Sequence, residues 1–468
     1  MNLAASGRAG LARRLVAGIS GQVLLRVASA LSALALVPLY IDSWGTKGFG
    51  EWVTLTALAS YATYTNFGLV STAGNEIVML ASAGRHDAAG RTFQLAINST
   101  VYVLLPLFAL IASVVAVIPL SSLFRLETVS NGAASAVVVL SIAQLFSDTL
   151  RGITASTINA SGYYGWSYIQ AGLARLTELA VVSVLLIFFK ADFQTLALAM
   201  ACVSVLDLVA ITIARRRLAP WSKLDFGVFD GGWLKGQVKP GLGLVLGILS
   251  TEGTLLQGPR VLLGLLLGGE AVALYSVYST TLRLLDQAVL LFAFPLEIEF
   301  AKEVGRNALR SAYRIVVVGT QVALIVLILG GTFILVFGPL IFSIWTRDRI
   351  PFVYPLMLLF MTLSAATQVG RISSHAIMAT NRMFRPGVTM FAVTMVALGL
   401  AGVLTTIFGI PGMIAGAALG ELAASAIVIS TLTRWLGAGP VSFTRDLFET
   451  NSVFSYLGKM AKNIVVRT

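Results

Sequence analysis

Long apolar segments recur along the whole chain and leave little room for any other architecture. A helix needs roughly 20 mostly apolar residues to cross a bilayer. The segments that meet this requirement are 15–40, 51–73, 94–119, 133–157, 168–189, 194–214, 240–267, 271–295, 313–341, 352–378, 387–409 and 411–434. Only 12% of the residues are charged, against about 25% in soluble domains. The sequence therefore predicts an all-α polytopic membrane protein of about twelve transmembrane helices.

The distribution of lysine and arginine predicts the orientation. If the spans alternate from a cytoplasmic N-terminus, twenty basic residues outside them fall on the inner side. The outer side receives five: Lys47, Arg125, Lys190, Arg347 and Arg349. Basic residues collect in cytoplasmic loops of membrane proteins. Both termini are therefore predicted to be cytoplasmic.

One long polar stretch divides the chain. It is RRRLAPWSKLDFGVFDGGWLKGQVK, residues 215–239, and its aromatic and basic residues suit a cytoplasmic linker at the membrane surface. It separates a six-helix N-terminal lobe, 1–214, from a six-helix C-terminal lobe, 240–434. In the tail, 435–468, apolar residues recur at helical spacing with lysines between them, which predicts an amphipathic cytoplasmic helix.

The two lobes read as an internal repeat. A shift of 223 residues places Gly45 on Gly268 and Glu76 on Glu299, and the short gap before Trp52 falls on the gap before Tyr275. Because each half has an even number of spans, both enter the membrane from the same side. We therefore expect parallel repeats related by a pseudo-two-fold axis along the membrane normal, with a substrate site near their interface.

Ionisable and polar residues inside the spans are the candidate functional groups, because they are costly in a membrane and usually face a cavity or a partner. Arginine keeps its charge and matches phosphate oxygens with a planar fork. Four spans each contribute an arginine, and equivalent spans carry polar stripes that predict a cavity. The candidate substrate-binding residues are Arg26, Tyr61, Thr65, Arg260, Ser279, Arg283 and Arg371.

Alternative interpretations of these residues are structural. The stripes could form dry hydrogen bonds between helices, and Arg283 could simply pair with Asp286, or Arg260 with Glu252. Carboxylates at membrane depth could instead couple transport to a proton or cation. The candidates for that role are Asp207, Glu252 and Asp286.

Several functions are disfavoured. The chain has no nucleophile elbow, P-loop or HExxH motif, so no enzyme is predicted. A single cysteine, Cys202, and two distant histidines, His86 and His375, offer no metal-ligand pattern, and no cofactor is expected. The net charge of +12 follows from the basic inner side. No basic run is interleaved with aromatics, so nucleic acid is not an expected partner.

The stretch PLYIDSWGTKGFGEW, residues 38–52, joins the first two spans. Its glycines predict a tight turn between antiparallel helices, and Trp44 and Trp52 are expected to anchor it at the membrane interface. Together with the element NFGL, Asn66–Leu69, it resembles the start of the Wzx-like polysaccharide repeat-unit exporters of the multidrug/oligosaccharidyl-lipid/polysaccharide (MOP) superfamily. The matching residues are Pro38, Gly45, Phe49, Gly50, Trp52 and Asn66–Leu69. Asparagine stands where that family usually has aspartate, so no role of that carboxylate is carried over.

The resemblance implies a twelve-helix, two-lobe, V-shaped MATE/MOP-like fold and a flippase for lipid-linked sugars used in surface polysaccharide synthesis. Expected partners are a lipid-linked oligosaccharide, membrane lipids and other polysaccharide-assembly proteins. One alternative is a cation-coupled drug or small-molecule antiporter of the same superfamily, which should have an acidic cavity. Others are a membrane polysaccharide polymerase or ligase, which should have a large outer loop, and a scaffold that does not transport.

Overall fold

A computed structural model of the protein describes residues 2–62, 68–250, 257–305, 308–379 and 383–448. Across these residues the chain is helical and contains no β-strand. A π-helical turn, Thr100–Leu104, connects the third and fourth helices. The helices are α1 Asn2–Ser60, α2 Leu69–Ser82, α3 His86–Ser99, α4 Leu105–Val117, α5 Leu120–Leu123, α6 Asn131–Ala160, α7 Tyr164–Phe189, α8 Phe193–Leu218, α9 Gly231–Ile248, α10 Gly258–Leu266, α11 Gly269–Gly305, α12 Leu309–Thr346, α13 Tyr354–Ala379, α14 Phe384–Phe408, α15 Ile410–Trp435 and α16 Pro440–Leu447.

Membrane-spanning helices dominate this architecture. Among the described residues, nine helices are long and apolar enough to cross a bilayer. They cover the first, the third to sixth and the ninth to twelfth predicted segments. The second predicted segment falls on α1 and α2, and the seventh falls on α9 and α10. The eighth falls on α11. The prediction of an all-α polytopic membrane protein is confirmed. Most of the predicted tail lies outside the described residues.

The connection between the first two predicted spans is a kink at Gly45. Two helical stretches of α1 meet in a kink at Gly45, the one non-helical residue, with φ 72° and ψ 173°. Glycine adopts this backbone conformation because it has no Cβ to clash. Gly268, which the repeat aligns with Gly45, also has positive φ, at 83°. A single glycine therefore redirects the chain within the stretch whose glycines predicted a tight turn.

The aromatic residues around Gly45 pack inside the protein, which corrects the expectation that they anchor the membrane interface. Trp52 is 4% exposed. The Trp44 ring lies 4.2 Å from that of Phe193 and 5.5 Å from that of Trp52, measured between centroids. The Trp44 indole also donates a hydrogen bond to the Ala191 carbonyl at 3.0 Å. These contacts tie the kink to the start of α8.

Side-chain caps fix the starts of two long helices. The Ser130 hydroxyl accepts a hydrogen bond from the Ala133 amide at the start of α6. At the start of α8, the Asp192 carboxylate accepts one from the Thr195 amide at 2.9 Å. Hydrogen bonds from the Thr195 side chain and amide lower the pKa of Asp192. Such caps satisfy amides that have no partner within the helix.

Two compact units divide the chain. The first contains the chain up to Leu242 together with Leu267–Leu274 and Trp345–Arg347; the second contains Gly243–Leu266, Tyr275–Ile344 and the chain from Asp348 onward. One buried cluster in the first unit packs Leu69, Ile77, Phe93, Ile97 and Ile153 together. The second unit has a larger cluster, drawn from α11 to α16.

The last two long helices form a tight hairpin. Gly409, with φ 65°, reverses the chain between α14 and α15. A Cβ at Gly412 would lie 2.2 Å from the Leu404 carbonyl oxygen, and one at Gly416 would lie 2.4 Å from the Ala401 Cα. The glycines of α15 therefore allow the close helix packing that small residues provide in membranes.

We predict that Gly416→Ala destabilises this hairpin, because the new methyl group would overlap the backbone of α14. Overpacking costs about 1–3 kcal/mol. Gly399→Ala, on the partner helix, is the matched control, since no atom lies within 4 Å of its added Cβ. Thermal unfolding in detergent should show a lower Tm for Gly416→Ala alone. Equal Tm values for the two variants would contradict this packing.

Candidate functional site

A polar cavity of about 300 Å³ lies within the first unit. Its walls come from α1, α6, α7 and α8, and carry five ionisable side chains in otherwise apolar spans. The lining residues are Leu25, Gln144, Asp148, Arg151, Ala171, Ala174, Arg175, Glu178, Val203, Ser204 and Asp207. Three carboxylates and two guanidinium groups give the cavity a formal charge of −1 when all are ionised, since 2 − 3 = −1.

Asp207 is the most strongly held of these carboxylates. Its Oδ2 lies 2.6 Å from the Arg151 Nε, and its Oδ1 accepts a hydrogen bond from the Gln170 amide. Arg151 Nη2 in turn donates to the Gln170 Oε1 at 2.7 Å. Arg151, Gln170 and Asp207 thus form a closed triangle that links α6, α7 and α8. Such a closed arrangement offsets much of the cost of placing a charge pair in a membrane.

The remaining charged residues of the cavity have weaker partners. The Ser204 hydroxyl donates to Asp148 Oδ1 at 2.6 Å, and Arg175 pairs with Glu178 one turn along α7, at 2.8 Å. Arg175 and Glu178 stand at i and i+3, so they neutralise each other on one face of α7. Gln170 is a contributor that sequence reasoning missed. Its signal was a polar amide near the start of the predicted span 168–189.

A second polar cluster is buried in the other unit. Asp286 of α11 is 8% exposed. Its carboxylate accepts hydrogen bonds from Gln368, and from Arg371 Nη2 at 3.2 Å, both on α13. The alternative in which Arg283 neutralises Asp286 by a direct ion pair is not what the structure contains. Arg371, a candidate substrate-binding residue, and Asp286, a candidate coupling residue, are instead partners.

Because Asp286 is bonded to Gln368 and Arg371, it does not form an ion pair with Arg283. The Arg283 side chain is half-buried on α11, one turn before Asp286, and the two interact only through their charges. Within the part of the chain that the structure describes, Arg283 makes no hydrogen bond or ion pair. Its guanidinium group is therefore available to another anion.

The other candidates in the second unit lie deeper. Arg260 is half-buried on α10, and both it and Glu421 act electrostatically on the fully buried Tyr275. Ser279 is 5% exposed, and its hydroxyl donates to the Ser276 carbonyl of the same helix at 3.1 Å. The Ser279 hydroxyl therefore already has an acceptor within its own helix.

The remaining candidates come from the first, second and seventh predicted spans and are only partly described. Arg26 on α1 and Tyr61, in the 3₁₀ turn that follows it, are both half-buried in the first unit. The Thr54 hydroxyl of the same polar stripe donates to the Gly50 carbonyl at 2.9 Å. Thr65 and Glu252 lie outside the described residues.

Two carboxylates that accept several hydrogen bonds were not assigned a role from the sequence. Glu51 is fully buried and accepts hydrogen bonds from the Glu127 amide at 2.7 Å and the Thr128 amide at 3.1 Å. Glu76 Oε2 accepts hydrogen bonds from Gln237 at 2.7 Å and from Trp233 at 3.3 Å. Both use distant partners in sequence, so neither contact could be inferred from local spacing. Among the described residues, no three side chains of metal-binding type converge on one point.

Solved structures that share this fold include transporters of the MATE family. An inward-facing multidrug resistance MATE family transporter of the MOP superfamily superposes with a TM-score of 0.63 at 16% identity, covering 91% of this chain and 96% of that one. An outward-facing conformation of such a transporter gives 0.57 at 14% identity, with 90% and 96% covered. A mutant of the Vibrio cholerae MATE transporter VcmN gives 0.60 at 14% identity, with 97% and 100% covered.

No protein-family model and no curated protein matches the sequence. The likeness therefore rests on the fold, which extends over nearly the whole length of each compared structure. At these identities it carries no site residues from one protein to another. The chain is a multi-pass, all-α membrane protein with the fold of the MATE transporters of the MOP superfamily.

Proposed function

We propose that the protein is a flippase that exports polyprenyl-pyrophosphate-linked oligosaccharide repeat units across the bacterial inner membrane. The repeat units would serve the synthesis of a surface polysaccharide such as O-antigen, exopolysaccharide or capsule. The transporter fold supports an exporter in general. The resemblance of residues 38–52 and Asn66–Leu69 to the polysaccharide exporters supports this class of cargo.

The observation that carries the proposal is the state of Arg283. A guanidinium group inside a predicted span costs energy unless an anion compensates it. Asp286, one turn further along α11, is already bonded to Arg371 and Gln368. A pyrophosphate would supply the missing negative charge and two or more oxygens for the guanidinium fork. In this proposal Arg26 and Arg260 assist the attraction of the headgroup, while the lipid tail stays in the bilayer.

Alternating access is the proposed mechanism. The two six-helix lobes would expose the headgroup site first to the cytoplasm and then to the outside. The MATE transporters of this fold have been captured in inward-facing and outward-facing conformations, which supports the same cycle here. Both termini of the chain would remain cytoplasmic.

Asp207 is the proposed coupling residue among the three candidates. It lines the polar cavity of the first unit together with four other ionisable side chains, whereas Asp286 lines no such cavity among the described residues. Protonation or cation binding at Asp207 would weaken its bond to Arg151. Three helices, α6, α7 and α8, meet at this triangle, so the change would alter their packing.

A drug antiporter of the same superfamily is the second candidate function. It is favoured by the compared structures, which are MATE transporters, and by the excess of carboxylates over guanidinium groups in the first-unit cavity. Proteoliposomes separate the two functions. Gradient-driven efflux of organic cations, without movement of a lipid-linked sugar, would favour the antiporter.

Deletion in the native host tests the proposed cargo. Lipid-linked repeat units should accumulate on the inner leaflet while surface polysaccharide falls, because synthesis continues without export. Labelling the intermediates in spheroplasts before and after membrane permeabilisation would locate the leaflet. Unchanged surface polysaccharide, in a host with no second exporter, would sink the proposal.

We predict that Arg283→Gln lowers translocation of a lipid-linked oligosaccharide in proteoliposomes by about tenfold or more. Hydrogen bonds to charged groups contribute about 1.5–3 kcal/mol, and 1.4 kcal/mol corresponds to tenfold. Arg283→Lys keeps the charge but loses the planar guanidinium group. Its translocation rate should lie between those of the wild type and Arg283→Gln. Arg385→Gln removes an exposed arginine of the same unit and serves as the control. Full activity in Arg283→Gln would remove this residue from the site.

We predict that Asp207→Asn abolishes the response of transport to an ion gradient. The single variant also leaves Arg151 without its carboxylate, and breaking such a pair costs about 3–5 kcal/mol. The double variant Arg151→Gln/Asp207→Asn restores charge balance, so it should recover thermal stability without recovering coupling. A double variant that still follows the gradient would show that Asp207 has only a structural role.

A further inference from the structure

The segment that follows α8, residues 219–230, is bound to the first unit through its backbone; we refer to it as the strap. Three side chains spaced four residues apart on α3 and the π-helical turn donate to its carbonyls. Gln94 donates to Lys223 O at 3.2 Å, and Tyr102 donates to Phe226 O at 2.6 Å. Between them, Asn98 Nδ2 donates to two strap carbonyls, at 2.8 and 2.5 Å: Asp225 O and Val228 O.

One side of the strap is fixed into the protein. The Trp221 indole donates to the Ser161 hydroxyl at 3.0 Å, and its ring packs on the buried cluster that contains Phe93. Arg215, at the end of α8, is 4% exposed, donates to the Ser222 hydroxyl at 3.3 Å and lies 5.3 Å from the Phe93 ring centroid. These contacts fix the direction in which the other side of the strap faces.

The other side presents large apolar side chains. Leu224 is 38% exposed, Phe226 54% and Phe229 48%. Phe229 meets the ring of Tyr102, itself 49% exposed, edge-on at 6.2 Å between centroids. Because Tyr102 belongs to the exposed surface of a membrane-spanning segment, the apolar side of the strap is continuous with the surface that faces lipid.

The hydrogen bonds explain how an irregular segment could lie at that depth. A backbone carbonyl away from water needs a donor from the protein. Four strap carbonyls receive such donors from side chains, and one of those side chains, Asn98, is completely buried. An ordinary aqueous loop would obtain these hydrogen bonds from solvent.

Charge around the strap is positive. Residues 215–239 contain six basic residues and two acidic ones, Asp225 and Asp230, so the net charge is 6 − 2 = +4. Both carboxylates already accept backbone amides, Asp225 from Gly227 and Asp230 from Gly232. The exposed basic side chains of this stretch include Arg216, Arg217 and Lys223.

We propose that the strap is a membrane anchor that binds anionic lipids. Leu224, Phe226 and Phe229 insert into the lipid interface, and Arg216, Arg217 and Lys223 bind the phosphate groups of acidic headgroups at the same level. The leaflet is the one that the lysine and arginine distribution predicts to be cytoplasmic. The anchor is independent of which substrate the protein carries.

Depth of insertion is the first measurement. Cys202→Ser removes the single cysteine, and Phe226→Cys then places an environment-sensitive fluorophore on the strap. Asp87→Cys, at an exposed position in the first turn of α3, is the matched control. In proteoliposomes, lipid-borne quenchers near the headgroup should quench the label at 226, and aqueous iodide should quench the label at 87. Iodide quenching of both labels alike would overturn the anchor.

Headgroup preference is the second measurement. Full-length protein in nanodiscs of phosphatidylglycerol and phosphatidylcholine should retain phosphatidylglycerol preferentially, measured by spin-labelled lipids. The triple variant Arg216→Gln/Arg217→Gln/Lys223→Gln should lower that preference at least about fivefold, since each basic residue near a surface contributes roughly 1 kcal/mol. Arg125→Gln/Lys190→Gln/Arg385→Gln removes three exposed basic residues elsewhere and should keep the preference. An unchanged preference in the first triple variant would overturn the lipid site.

Discussion

Hydrocarbon offers no hydrogen bonds, and the rest of this structure depends on that constraint. Each backbone group within the membrane must find its partner inside the protein. The chain responds with long helices and interrupts them at few points. Gly45 and Gly409 break the helical path with positive φ, where a glycine adds no side-chain clash. Where the backbone becomes irregular in the strap, Gln94, Asn98 and Tyr102 supply the donors that water would otherwise provide.

Charge is governed by the same constraint. The carboxylates of Asp207 and Asp286 are each bonded to an arginine and to a glutamine amide, one set in each unit. These sets make a charged interior tolerable, and they also leave a functional signature. Because Asp286 is bonded to Arg371 and Gln368, it does not neutralise the nearby Arg283 by a direct ion pair. The candidate site is thus defined by which charges the protein leaves unbalanced.

The lengths of the apolar segments were enough to predict the membrane-spanning helices, because such a helix needs roughly 20 mostly apolar residues. The approximate ends of α14 and α15 were also predicted by the apolar segments 387–409 and 411–434. The glycines of 38–52 predicted a turn, and the chain kinks at Gly45. The packing of Trp44 against Phe193 was not predictable, because the two residues are far apart in sequence. The triangle of Arg151, Gln170 and Asp207 joins three helices, and no spacing along the sequence encodes which helices meet. Thr65 and Glu252 stay as predictions.

The fully buried Glu51 has a practical consequence for work on this protein. Its carboxylate is bonded to the amides of two consecutive residues, Glu127 and Thr128, so the length of that loop is fixed by one side chain. An epitope or purification tag inserted there would separate the amides and leave a buried charge uncompensated. The turn at Gly84 has open space around it and no comparable bond to a buried carboxylate among the described residues. It is the better place for an insertion intended to report on topology.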